Sequence, residues 1–423
     1  MAVAAETREK REGVALAVLV AALGYFVDIY DLILFGVVRK PSLAALGVTP
    51  EDMLAQGERL LNFQMSGLLV GGILWGILGD KRGRLSVLFG SIILYSLANI
   101  ANGFVQDLDQ YAVLRLLAGI GLAGELGAGI TLVSEILHRE GRGWGTTIVA
   151  TVGICGGVLA GLVGGEVHWR TAYFIGGGMG LALLALRVGV RESPMFAAAA
   201  KAESGVRRGD LGALFRSAKR LRRYVAVILV GVPIWYAVGI LIFFSSELGK
   251  EMGMKDIPKP AEALMWCYAG LAVGDLASGG LSQVLRSRRK ALAVFLVMTA
   301  VAVALYFTVA ARSLTTFYVV CTFLGLATGY WAVFITTAAE QFGTNLRATV
   351  TTTAPNFVRG AVVPMTLGYK ELRGSVGILE GAVIVGVIAI ALGAVALWLL
   401  DETYGKDLDF LEADADRGVS SGA

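Results

Sequence analysis

Two aspartates, Asp28 and Asp31, stand three residues apart in the otherwise apolar and aromatic run Tyr25-Phe-Val-Asp-Ile-Tyr-Asp-Leu-Ile-Leu-Phe35. A carboxylate near the centre of a bilayer helix opposes insertion by about 2.5–3.5 kcal/mol, so two of them require a cation, a proton or water beside them. Arg115, Glu125 and Arg359 also fall inside apolar stretches. Counting along those stretches places Asp31 and Arg115 at similar depth, which predicts a low-dielectric ion pair. Asp28 sits one turn away on the same face, and Glu125 near the middle of its own stretch. Three carboxylates against Arg115 leave an acidic surplus, so at least one is expected to bind a proton at working pH. Protonation of Asp31, or of Asp28 below it, would release Arg115, and Glu125 would relay the proton. Arg359, in Ala354-Pro-Asn-Phe-Val-Arg-Gly-Ala361, offers fixed planar donors that suit a carboxylate or phosphate. Asn356 can join it if its side chain turns inward, and pairing with Asp275 is the competing explanation for Arg359. Tyr25, Trp235, Tyr236, Tyr330 and Trp331 are candidate walls of a substrate cavity.

The elements that must position these groups are membrane helices. Apolar residues make up 56% of 423 positions, charged residues 17%, and mean hydropathy is +0.69. Soluble domains rarely show this balance. Division into stretches of about 20 residues predicts twelve spans, near 13–38, 60–79, 85–104, 109–137, 144–164, 168–190, 223–249, 261–285, 290–311, 314–338, 349–369 and 377–399. The net charge of +4 follows topology and does not call for an acidic partner. Lys and Arg concentrate on the side that carries both ends, which predicts cytoplasmic termini, with Arg115 and Arg359 assigned to the interior. The polar start Glu6-Thr-Arg-Glu-Lys-Arg-Glu12 leads directly into a stretch of spanning length, so no cleaved leader is expected. Cys155, Cys267 and Cys321 show neither metal-ligand nor redox spacing and read as small packing residues.

The chain also repeats itself. Ile130-Thr-Leu-Val-Ser-Glu135 with Arg142 matches Ile335-Thr-Thr-Ala-Ala-Glu340 with Arg347 at a constant offset of 205 (135 to 340, 142 to 347), and Gly76-Ile-Leu-Gly-Asp-Lys-Arg-Gly-Arg84 has a worn copy at Gly280–Arg288. The reading is therefore a bundle over 1–190, a basic linker over 191–222 and a second bundle with its tail over 223–423. Within the linker, Asp210 can cap an amphipathic helix whose Leu211, Leu214, Phe215 and Leu221 share one face. No phosphate loop, nucleophile elbow or metal-ligand cluster appears in a compatible setting, which argues against an enzyme or an ATP-driven pump. Gly119-Ile-Gly-Leu-Ala-Gly124 spells the dinucleotide pattern, but mid-span glycines serve close helix approach.

On Gly76, Asp80, Gly83 and Arg84 between spans two and three, and on Tyr111-Ala-Val-Leu-Arg115 with Gly119 and Gly121 in span four, the whole chain resembles the major facilitator superfamily. The resemblance implies an all-α integral membrane protein, with twelve transmembrane helices in two pseudo-symmetric six-helix bundles, working by alternating access. It implies that Asp80 anchors a latch while Arg84 pairs with an acid in the same half, and that Arg115 belongs to proton coupling. Glu135 with Arg142, and Glu340 with Arg347, would add gating pairs at the cytoplasmic ends of spans four to five and ten to eleven. Tyr25–Leu32, Gly121–Glu125 and Ser134-Glu135 are similar to the phosphate, aromatic-acid and metabolite:proton symporters. Arg191-Glu-Ser-Pro194 and Glu402-Thr-Tyr-Gly-Lys-Asp-Leu408 look like sugar-porter and metabolite-symporter hallmarks. Glu125-Leu-Gly127 stands where phosphate symporters have Asp-Tyr-Pro. In span five, Val158 and Leu162 replace the proline and last glycine of the antiporter pattern.

These residues lead to the expectation of proton-coupled symport of a small, anionic organic metabolite. Sugar or polyol uptake is the alternative, and a proton-driven exporter is the less favoured one. A small-molecule substrate, the lipid bilayer, protons as coupling ion, no other cofactor, no metal, no nucleic acid, a monomeric state and a bacterial inner membrane complete the reading.

Overall fold

Most of the chain is helical because its apolar runs exceed the length needed to cross hydrocarbon, where each backbone N–H and C=O must be satisfied within the segment. The computed structural model describes residues 2–136, 139–187, 211–406 and 412; the side chains of residues 2–17, and several within 80–84, 131–146 and 344–348, are not among those described. Each predicted span has a helical counterpart. Spans one to three are Ala2–Ala45, Met53–Arg82 and Arg84–Asn102, and span four is split into Leu108–Leu122 and Glu125–Ile136. Spans five and six are Arg139–Glu166 and Trp169–Arg187. Span seven runs Ala218–Tyr236, through a π-turn Ala237–Ile242, to Ser245–Glu251. Spans eight and nine are Pro260–Val284 and Arg288–Thr308. Span ten is split into Leu314–Thr328 and Trp331–Glu340, span eleven into Thr344–Gly360 and Val362–Val376, and span twelve is Ile378–Leu399.

Among the described residues, nine helical stretches are by themselves long and apolar enough to cross a membrane. Spans six, eight and eleven are not among them, because each carries internal charge such as Arg170 and Arg187, Glu262 and Asp275, or Arg347 and Arg359. The amphipathic linker helix is not continuous: a single turn, Gly212–Phe215, ends before Ser217, and Leu221 already belongs to span seven. Asp210 and the rest of 191–210 lie outside the described residues.

The repeat is visible in how helices touch. A Cβ at Gly67 or Gly71 of span two would collide with the carbonyls of Leu116 and Ile120 in span four. Gly270 and Gly274 of span eight meet the carbonyls of Thr322 and Leu326 in span ten in the same way. Without a hydrophobic drive between helices in lipid, such backbone-to-backbone seating is what associates them. The halves then meet through span five against span eight and span two against span eleven. Spans four and ten break at Gly124 and Gly329, and 329 less 124 is the 205-residue offset of the sequence repeat.

Candidate functional site

Span one presents Asp28 toward the other half. Its Oδ2 lies 3.4 Å from Nη2 of Arg359 at the end of the first piece of span eleven, and both side chains are buried. The partner of Arg359 is therefore Asp28 and not Asp275. Arg359 retains Nε and Nη1 without hydrogen-bond partners, as does Oδ1 of Asp28. The indole of Trp331, at the head of the second piece of span ten, lies with its centroid 5.7 Å from the guanidinium, within cation–π range. Tyr25 stands one turn before Asp28, and Tyr268 of span eight completes the surround, both within electrostatic reach of Arg359 and Asp28. Gly153 and Gly157 of span five make room for the two tyrosine rings, since a Cβ at either would overlap them. A buried guanidinium with spare donors, an indole face beside it and two tyrosines nearby can hold a planar carboxylate.

The expected Asp31–Arg115 ion pair is not formed. Nη2 of Arg115 donates to Oδ1 of Asn99 at 2.8 Å, and its guanidinium lies over the Tyr173 ring at 4.9 Å. Asp31 rests against the backbone of Gly176 in span six, with neither oxygen hydrogen-bonded in the chain, while Arg115 reaches it only as a field. Equal depth did not bring them together: Arg115 turns to Asn99, which also acts on Asp31, while Asp31 turns to Gly176. Asp28 and Asp31 thus point to different neighbours despite their single-turn spacing.

Glu125 is also committed elsewhere. It heads the second piece of span four and holds Arg187 of span six through both oxygens, with Nη1 to Oε2 at 3.0 Å. It is a buried lock inside the first half, not a free relay. Sequence reasoning assigned only Arg115 and Arg359 to the interior, although Arg187 lies within the predicted span 168–190. Asp275 accepts the backbone N–H of Ala332 at 2.7 Å, capping the second piece of span ten from span eight. Among the described residues of the interior, four carboxylates (Asp28, Asp31, Glu125, Asp275) accompany three guanidiniums (Arg115, Arg187, Arg359), so the acidic surplus persists.

The remaining candidates separate by contact. Asn356 donates to the Ala123 carbonyl at 2.9 Å, so it ties span eleven to the break in span four and does not extend the Arg359 site. Tyr236 donates to the Ala382 carbonyl at 2.8 Å and packs on Gly386 of span twelve. Tyr330 donates to the Val230 carbonyl at 3.0 Å and meets the Phe295 ring. Both are structural within the second half, because a buried phenol turns toward the nearest free carbonyl. Trp235 is buried. Tyr268 was missed, and the signal available for it was the glycine at 157, one turn beyond Gly153 on the face of span five that receives aromatic rings.

The profile of the Major Facilitator Superfamily matches residues 21–365. The chain belongs to that superfamily. A cis,cis-muconate transport protein of Acinetobacter baylyi is 26% identical over 406 residues, covering 92% of this chain and 95% of that one. A 3-(3-hydroxy-phenyl)propionate transporter of Escherichia coli is 29% identical over 340 residues, covering 78% and 77%. The proton:xylose symporter XylE, solved with 6-bromo-6-deoxy-D-glucose, shares the fold with a TM-score of 0.71 at 14% identity, covering 95% and 98%. The chain is a multi-pass membrane transporter and not an enzyme.

The superfamily signature between spans two and three turns at Gly83, whose φ of +94° is one that L side chains rarely adopt. Gly76 faces Thr353 of span eleven, where an added Cβ would make ordinary contact at 3.6 Å. The side chains of Asp80, Arg84, Glu135 and Arg142 lie outside those described. In the second half, Glu340 pairs with Arg288 at 3.1 Å and not with Arg347, whose Nε donates to the Ala339 carbonyl at 3.0 Å. Arg288 is the repeat partner of Arg84 (288 less 204). Glu402 of the tail accepts from Ser287 and from the N–H groups of Arg288 and Arg289, and Thr403 donates to Glu340 at 2.7 Å. Partial burial works against the charged form of Glu402, but the Ser287 hydroxyl and the N–H groups of Tyr404, Arg288 and Arg289 outweigh it and hold the carboxyl down at about 2.

At the end opposite the termini, two ion pairs join the halves. Arg39 of span one meets Glu247 of span seven at 2.8 Å, and Glu58 of span two meets Arg373 of span eleven. The Phe243 ring seats on Gly36 beside the first pair, and Thr366 donates to Asn62 at 2.6 Å beside the second. Sequence reasoning placed the gating pairs only at the terminal end, because these four residues fall near the edges of their spans and read as topological charges.

Proposed function

We propose that this chain is a proton-coupled symporter that brings a small aromatic or unsaturated carboxylate across a bacterial inner membrane, with both termini cytoplasmic. The observation that carries the reading is Arg359, buried between the halves with two nitrogens unpartnered and with Trp331, Tyr25 and Tyr268 around it. The names of the Acinetobacter and Escherichia relatives, a muconate and a hydroxyphenylpropionate transporter, agree with a planar carboxylate. Away from the helix ends, the excess of Asp28, Asp31, Glu125 and Asp275 over Arg115, Arg187 and Arg359 supports protons as the coupling ion, since a proton is the least costly compensation for an unpaired carboxylate in hydrocarbon. Alternating access would open the Arg39–Glu247 and Glu58–Arg373 pairs on one side, and the Arg288–Glu340–Glu402 cluster with the signature turn on the other.

Proteoliposome uptake tests the reading. Inward accumulation of benzoate or cis,cis-muconate under an imposed proton gradient is expected, and Arg359→Ala should abolish it. Accumulation of a neutral sugar that survives Arg359→Ala, with no benzoate uptake, would replace the carboxylate by a polyol and reduce the Arg359–Asp28 pair to a structural tie.

A further inference from the structure

We infer that Asp28 is the internal stand-in for the substrate's carboxylate: the two are alternative partners of Arg359, and arrival of one hands the other a proton. The inference rests on the carboxylate reading above. It starts from the asymmetry of the pair. At 3.4 Å, with one oxygen engaged and the second unpartnered, Asp28 makes a long single contact where a guanidinium can take a short fork of two bonds near 2.7–2.9 Å. Span one fixes the Asp28 backbone, so its short side chain cannot reach farther, whereas a free carboxylate can align with the unpartnered Nε and Nη1 of Arg359.

Once that fork forms, Asp28 has lost its cation. The charged and titratable groups that face it from the neighbouring spans are Asp31 and Tyr25 on its own helix, Glu125 of span four, Tyr95 of span three, and Tyr268 of span eight. Apart from Arg359, none of these is a cation, and Glu125 already holds Arg187. A proton from the aqueous side must then bond to an Asp28 oxygen. The exchange is balanced: the Arg359–Asp28 ion pair breaks, the Arg359–substrate pair forms, and one O–H bond forms on Asp28. Before and after, the site carries no net charge, so the bare and the loaded carrier cross the membrane as equals, and one proton travels with each monoanion. Because Asp28 belongs to the first half and Arg359 to the second, the exchange also changes what ties the halves together.

Calorimetric titration of the purified full-length protein with benzoate, in buffers of different ionisation enthalpy, counts the protons. The expected result is uptake of about one proton per benzoate, with affinity falling about tenfold per pH unit once Asp28 is ionised in the unliganded protein. Asp28→Asn should bind benzoate without proton uptake and with a flat pH profile, and Asp28→Glu should restore the uptake. Wild-type binding without proton uptake overturns the inference whatever the variants do, and so does Asp28→Asn that still takes up a proton. If benzoate fails to bind the wild type, or binds Arg359→Ala as well as wild type, the carboxylate reading falls and this inference falls with it.

Discussion

In the first half, the break in span four puts Glu125 at the head of a new helical piece, where it grips Arg187 of span six. In the second half, the equivalent break in span ten puts Trp331 there, and the carboxylate comes instead from Asp275 on span eight, holding a backbone N–H. One discontinuity inherited by both repeats has thus become an ionic lock in one and a helix cap in the other. The difference matters for transport. Glu125 is used up in fastening its own half, whereas Asp275 fixes the backbone and leaves the Trp331 side chain facing Arg359 between the halves. The first half supplies the rigid frame with its displaceable acid, Asp28, and the second supplies the fixed cation and most of the aromatic wall.

The largest test of this contrast is Arg187→Ala, which leaves Glu125 buried without its cation. A loss of about 3–5 kcal/mol in the unfolding free energy of the detergent-solubilised protein is expected. A loss no larger than that of Asp275→Ala would dissolve the distinction. Asp275→Ala should itself cost about 1–3 kcal/mol, the price of an unsatisfied buried N–H, and Asp275→Asn less, because an amide oxygen still accepts. Only the Asp275 variants should also weaken benzoate binding, through Trp331.

Alanine at the two breaks sharpens the comparison further. At Gly329 a Cβ would lie 2.6 Å from the Gly274 Cα, and backbone cannot yield. At Gly124 only the Ser91 Cβ comes as close, at 2.7 Å, and the next atom met is 3.0 Å away. Gly329→Ala should therefore lie at the upper end of the roughly 1–3 kcal/mol range for overpacking and Gly124→Ala at the lower end, read from melting curves. A milder effect is expected at the end far from the termini: Glu247→Gln should raise the labelling rate of a cysteine placed at Asn62, since one of the two ion pairs joining the halves there is lost. Unchanged labelling would remove Arg39–Glu247 from gating.

The smallest effect belongs to Glu402. Its carboxyl sits below the ordinary range in the folded protein, so the stability it adds is complete above that range and is lost only as pH falls toward 2. Glu402→Ala should lower the melting temperature slightly and equally at all near-neutral pH values. A loss that grew with rising pH would show that its partners had been misassigned.

Much of this architecture was readable before any coordinates. The length and composition of the apolar runs dictated twelve helices, because lipid forbids unsatisfied backbone, and the 205-residue echo dictated two related halves. The same echo located equivalent breaks without revealing them as breaks, since Gly124 reads as a packing glycine mid-span and Gly329 simply falls inside the continuous span 314–338. Pairings were the part that pattern could not reach. Depth counting predicts Asp31 as the partner of Arg115, and pattern offers only Asp275 as an ionic alternative for Arg359; the folded chain gives Arg115 to Asn99 and Arg359 to Asp28. The physical reason is that hydropathy and spacing constrain where a side chain lies along the membrane normal and on which face of its own helix. Which neighbour occupies that face is set by rotation and tilt, and these follow from glycine-lined contacts between helices far apart in the chain.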